Sequence, residues 1–105
     1  MSTYLVIEWS VPEADAPQAE QAMAGVRAHV LAEHPEILSA RLTRQFAGPL
    51  THVGYRWEEK YADLTAIDEL AGTPDCAAVW VPVNALAVAG SHRQSIWTDT
   101  GTPDA

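Results

Sequence analysis

Apolar side chains recur along this chain at two spacings, and the order in which those spacings alternate constrains the fold more than any other feature. Residues 3–11, TYLVIEWSV, place Leu5, Ile7, Trp9 and Val11 at every second position, with Tyr4, Glu8 and Ser10 between them. A two-residue period rich in β-branched and aromatic side chains, closed by Pro12, predicts a half-buried strand. From Ala14 to Leu31 the spacing becomes helical. Ala16, Ala19, Ala22, Met23, Val26 and Val30 form one stripe, and Gln18, Gln21, Arg27 and Glu33 lie largely off it. Pro17 near the start and Pro35 beyond the end bracket an amphipathic helix, because proline suits a first turn and disfavours the α region in the residue before it.

The strand period returns over residues 38–46, with Ala40, Leu42 and Phe46 on one side, Arg41, Thr43 and Gln45 on the other, and Arg44 interrupting the apolar row. AGPL at 47–50 reads as a turn. In the return strand, 51–59, Val53, Tyr55 and Trp57 share one face, and His52, Gly54, Arg56 and Glu58 share the other. Residues 62–72 predict a second helix anchored by Leu64, Ile67 and Leu70, with Gly72 placed to end it. Thr73-Pro74-Asp75 then opens a short third helix over 73–86, limited or kinked by Pro82. Residues 91–99 read as a last strand.

The order β-α-β-β-α-(α)-β is that of a ferredoxin-like α+β fold, with one four-stranded antiparallel-type sheet and helices on a single face. It predicts one domain over residues 1–99 and a flexible tail at 100–105. The first and third strands are expected to be central and parallel, with Glu8 level with Arg56 and Tyr4 level with His52. A hairpin about AGPL would set Leu42 beside Tyr55 and Arg41 beside Arg56.

The chain's 105 residues suit one domain and one core. Fourteen acidic residues against six basic ones give a net charge of −8, which repels phosphate and argues against nucleic acid or anionic membrane as partners. Cys76 is the lone cysteine and cannot form an internal disulfide. No apolar run reaches spanning length, and MSTYLVIEWS lacks the basic start and apolar core of a secretory signal. The expectation is a cytoplasmic protein.

On the sheet face without helices, Tyr4, Val6 and Thr43 stand among Glu8, Arg41 and Arg56. A second copy could cover it, two sheets closing into a twofold α/β barrel. The aromatic-acidic corner YRWEEKYADLTAIDEL, the segment TPDCAAVWVPVNAL, the first strand and HPEIL together resemble the dimeric α/β-barrel superfamily, within it the antibiotic-biosynthesis-monooxygenase-like group, over about residues 3–99. The resemblance implies a homodimer through the helix-free face. It also implies a cofactor-free enzyme, oxygenase or cyclase, acting on an aromatic or polyketide-like small molecule held between sheet and helices. The superfamily also includes members with no known activity, so a non-catalytic ligand-binding or structural dimer module of the same fold is the alternative. Its haem-degrading members ligate iron through a histidine where Trp80 stands here, and residues 73–90 contain no histidine, so haem is not expected.

By that resemblance Trp9, Leu42, Tyr55, Trp57 and Trp80 wall the ligand space, where a flat aromatic would suit them; the competing reading is plain core packing. Arg44 or Arg93 would polarise an oxygen, and His92 would serve as the base, with Tyr55 adding a hydroxyl. Arg44 could equally sit at the strand edge with its head in water. His92/Gln94/Ile96 or Arg93/Ser95/Trp97 faces the helices; parity alone leaves both open. Glu8, Arg41, Arg56 and Glu58 read as an interface network before a catalytic one. His29 and His34, five residues apart, do not share a helix face, so no metal site is expected. Cys76 reads as a small buried thiol.

Overall fold

The computed structural model describes residues 2–46, 51–70 and 73–102. The turn expected at 47–50, the helix stop expected at Gly72 and the end of the tail lie outside those residues. β1 (Thr3–Pro12) runs through a 3-10 turn at Glu13–Asp15 into α1 (Ala16–Glu33). β2 (Ser39–Arg44) and β3 (His52–Tyr61) follow, then α2 (Leu64–Leu70), α3 (Pro74–Leu86) and β4 (Arg93–Thr98). α3 continues through Pro82, which lies on its exposed side.

The sheet order is β2-β3-β1-β4, and every neighbouring pair is antiparallel. β1 and β3 are central as expected but antiparallel, which corrects the parallel pairing. The reason is topological. A helical crossover returns the chain to its starting end, so β1 and β2 run the same way, and the β2–β3 connection then reverses β3. By the same logic β3 and β4 are parallel, with β1 between them. Glu8 does lie level with Arg56, but Tyr4 pairs with Lys60 and His52 with Pro12. The β2–β3 register is shifted by two from that expected: Leu42 faces Trp57 and Arg41 faces Glu58. A shift of two leaves every side chain on its own face.

Alternation sends Trp9, Val11, Val53, Tyr55 and Trp57 under α1, against Ala16, Ala19, Met23, Val26 and Val30. Trp57, Val11 and Val26 are fully buried at 0 % exposure, so the small alanines of α1 let the helix lie close over large aromatics. Arg27 Nε donates to the Ala40 carbonyl at 3.2 Å and pins α1 to β2. Phe46, expected on the inner row, lies beyond the end of β2 and is fully exposed. On the helix-free face Val6 is buried, flanked by β3 and β4 residues such as Glu58 and Ser95, while Trp97 stays 58 % exposed. Among the described residues no helix is long and apolar enough to cross a membrane.

Candidate active site

Toward the β4 side, the layer between sheet and helices opens into a cavity of about 380 Å³, a size common for small-molecule sites. β1 contributes Leu5 and Ile7 to its floor, and Ile67 and Leu70 of α2 close one end. α3 supplies the roof, with Trp80 as its aromatic wall and Cys76 and Asn84 a turn away on either side. β4 brings Gln94, which pairs with Ile7 and so lies on the helix side; this places the Gln94/Ile96 row inward and the Arg93/Ser95/Trp97 row on the helix-free face.

The chemistry of the cavity comes from the end of β3. Glu59 is only 4 % exposed, yet it lines this largely apolar space. Tyr61, 0 % exposed, donates its hydroxyl to Glu59 Oε1 at 2.9 Å. Burial pushes the Glu59 carboxyl above its ordinary range, against the opposing pull of the Trp57 and Tyr61 donors and the nearby His34 charge. Among the described residues neither Trp57 Nε1 nor the buried Thr73 hydroxyl has a hydrogen-bond partner of ordinary geometry. Burial and then the Glu59 carboxylate also raise the Tyr61 hydroxyl above its usual value, so it stays a donor. A buried carboxyl of raised pKa beside an apolar pocket is the arrangement that general acid–base chemistry uses.

Of the residues singled out from sequence, Trp80 lies on this cavity. Trp9, Tyr55 and Trp57 form a buried aromatic block against it, Trp9 meeting Trp80 edge-on at 5.5 Å and Trp57 meeting it at 6.1 Å. Leu42 is half-buried beside Trp57. His92 is exposed and stacks on Trp9, with ring centroids 6.3 Å apart. Arg44 sits at the β2 edge, 3.5 Å from Glu20, and the Tyr55 hydroxyl donates to that same Glu20 at 2.7 Å. Burial and the Glu20 carboxylate raise the Tyr55 hydroxyl's pKa. Arg93 lies on the helix-free face opposite Glu8. None of His92, Arg44, Arg93 and Tyr55 lines this cavity; Arg44, Tyr55 and Arg93 line, with Trp9, a separate open pocket of about 650 Å³, to which His92 does not contribute.

Glu59 is marked in sequence only by parity. The inward row Val53, Tyr55, Trp57 continues at the same parity to Glu59 and Tyr61. Of two adjacent glutamates, Glu59 points in, and Glu58 points out to Arg41 and Arg56.

A second cluster abuts the cavity through Cys76. The Nε2 atoms of His29 and His34 lie 2.8 and 2.5 Å from one Asp75 oxygen, Oδ2. Cys76 Sγ is 3.4 Å from His34 Nε2. Hydrogen bonds from the two imidazoles hold the Asp75 carboxyl down at about 2, and Asp75 in turn raises His34. The expectation that helical spacing keeps His29 and His34 apart fails, because His34 lies beyond the last helical residue. Its backbone leaves the helix at φ −127°, ψ 87°.

An antiparallel sheet in the order β2-β3-β1-β4 with its helices on one face is the ferredoxin-like fold. Solved structures of antibiotic-biosynthesis-monooxygenase-like proteins share it. One, provisionally assigned to the antibiotic biosynthesis monooxygenases, from Caulobacter crescentus, superposes with a TM-score of 0.76 at 24% identity over 91% of this chain and 87% of its own. SnoaB, a cofactor-independent oxygenase from Streptomyces nogalater, gives 0.73 at 15% identity, covering 97% of each chain. A dimeric protein of unknown function from Bacteroides fragilis gives 0.71 at 9% identity over 91% and 94%. At these identities the likeness establishes the fold. No protein-family profile and no curated protein matches the sequence.

Proposed function

We propose that this chain is a small cofactor-independent enzyme whose active site is the cavity between β3 and α3, and whose substrate is an aromatic or polyketide-like molecule with an acidic C–H. The observation that carries this reading is Glu59, a buried carboxyl with an elevated pKa, oriented by Tyr61 on the wall of an apolar cavity. A flat ring packs against Trp80, and the apolar floor of Leu5 and Ile7 excludes water. Ionised Glu59 removes a proton from a methylene flanked by carbonyl or aryl groups. A carboxylate of raised pKa is a stronger base for that step. The amides of Asn84 and Gln94 donate to the developing enolate oxygen, the part expected of Arg44 or Arg93 from sequence.

The carbanion then adds to dioxygen, and the proton held by Glu59 returns to the peroxide oxygen, giving a secondary hydroperoxide. Loss of water leaves the ketone, so one methylene and one dioxygen become one carbonyl and one water. Where an internal carbonyl lies closer than dioxygen, the same carbanion attacks it and the outcome is cyclisation. The fold shared with SnoaB, itself a cofactor-independent oxygenase, supports the oxygenase branch. Two copies associate through the helix-free face, where Trp97 stands exposed; that a protein of the same fold is dimeric supports association, and the exposed Trp97 supports the choice of face.

The test is dioxygen uptake by chelator-treated protein with a panel of hydroxyaryl ketones, read beside quenching of tryptophan fluorescence. Wild type binds with quenching that Trp80→Ala abolishes, and it consumes dioxygen. Glu59→Gln retains binding and loses about 10²–10⁴-fold in rate. Neither quenching nor turnover at millimolar ligand, or a Glu59→Gln variant as fast as wild type, sinks the proposal.

A further inference from the structure

We propose that His29, His34, Asp75 and Cys76 together bind one divalent transition-metal ion of the zinc class, clasping the C-terminal end of α1 to the start of α3. Three of the ligand atoms, His29 Nε2, His34 Nε2 and Asp75 Oδ2, already lie within 4.8 Å of one another. The fourth, Cys76 Sγ, is 3.4 Å from His34 Nε2. A tetrahedral zinc ion with bonds of about 2.0–2.3 Å holds its ligand atoms roughly 3.2–3.7 Å apart. The thiol is at that spacing from His34 alone and lies outside the three-atom set, so its side chain has to turn toward His29 and Asp75, while Asp75 has to withdraw from each imidazole by less than about 1 Å. That change exchanges two N–H···O hydrogen bonds for four metal bonds.

Three further features fit a metal rather than a simple hydrogen-bonded cluster. The ligand set is balanced, because two neutral imidazoles, one carboxylate and one thiolate cancel the charge of a dication. His34 presents its other nitrogen, Nδ1, to Glu36 Oε1 at 3.3 Å. A carboxylate on the far side of a ligating imidazole fixes its tautomer and orientation, the usual outer support of a metal histidine. The cluster also lies where the fold gains from a clasp. α1 and α3 pack on one another, and the His34 side chain is only 12 % exposed in that seam. Four protein ligands fill the coordination sphere, so the site is structural. Cys76 is shared with the wall of the cavity, so a bound ion would stand beside the Glu59 pocket without occupying it.

The proposal is independent of the catalytic reading, and its test uses metal alone. Tag-free, chelator-stripped protein is titrated with cobalt(II), followed by zinc(II). Expected are one equivalent of cobalt bound with the visible absorption of a tetrahedral ion, a thiolate-to-cobalt charge-transfer band, and displacement by zinc. His29→Gln and His34→Gln each weaken zinc binding by at least about 10–100-fold. Cys76→Ser loses the charge-transfer band, and His52→Gln and His92→Gln bind as wild type does. Circular dichroism of each variant confirms that it is folded. No saturable binding at about 0.1 mM metal, unchanged affinity in folded His29→Gln and His34→Gln, or a charge-transfer band that survives Cys76→Ser would overturn the site as proposed.

Discussion

Removing one oxygen atom tests the energetics of the buried carboxyl directly. In Tyr61→Phe the ring keeps its place in the core, but Glu59 Oε1 loses the donor that sits 2.9 Å away. With Glu59 protonated, the loss is that of a neutral buried hydrogen bond, about 1 kcal/mol. With Glu59 ionised, the donor served a charge, and the loss grows to about 2–3 kcal/mol. The sign of the pH dependence follows from the same contact. Burial raises the folded carboxyl above its ordinary 4.5, so the folded state holds the proton more tightly than the unfolded chain does. Stability therefore falls as pH rises from about 4.5 through the raised value, and levels off above it. Tyr61→Phe removes a group that opposes this shift, so the fall becomes larger and extends to higher pH. Urea unfolding of wild type and variant, followed by tryptophan fluorescence at about pH 5 and pH 9, measures it. A difference of about 2 kcal/mol at the alkaline end corresponds to roughly 10 °C in Tm for a domain of this size. In a Glu59→Gln background the cost of Tyr61→Phe should be the same at both pH values. An equal cost at both in the native background, or a pH-dependent cost that persists once glutamine replaces the acid, would refute the reasoning.

Other substitutions read other parts of the molecule. Glu59→Gln alone flattens the pH dependence of unfolding and stabilises the alkaline form, checked by the same titration. Met23→Ala opens space where α1 packs on the sheet, and should cost about 2–5 kcal/mol in urea unfolding, since Met23 is only 2 % exposed. Trp97→Asp places a charge on the β4 edge of the helix-free face. Light scattering should then report half the wild-type mass with unchanged circular dichroism; a wild type already at the monomer mass would remove the dimer from consideration.

The sequence made the faces of the sheet legible because parity survives errors of direction. Leu5, Ile7 and Trp9 stand on the same side as Tyr55 and Trp57 whether β1 and β3 are parallel or antiparallel, so agreement between rows could not expose the wrong polarity. The direction had to come from counting crossovers. β4 was ambiguous for a different reason: both of its rows mix polar and apolar residues, and only pairing with Ile7 and Leu5 distinguishes them. The inward row of β3 is plain in sequence as far as Trp57, and the charge at Glu59 masks its continuation. A glutamate in an apolar row reads as the end of the strand unless the row resumes, and here it resumes at Tyr61. The His29–His34–Asp75 cluster is not legible from helical spacing, because His34 lies past the helix end and Asp75 arrives from the start of α3, far along the chain.

The central pairing of β1 with β3 also has consequences for how the chain assembles. Ile7 meets Trp57 across half the length of the chain, whereas β2 and β3 are neighbours in sequence. Closing the large loop costs chain entropy before any strand contact rewards it. The β2–β3 pair can form locally, but β1 must arrive with α1 already beginning to cover the aromatic row. β4 pairs with β1 alone, at the edge of the sheet. Amide hydrogens of β3, paired on both sides, should exchange slowest and those of β4 fastest, which makes the edge beside the cavity the first part of the sheet to open.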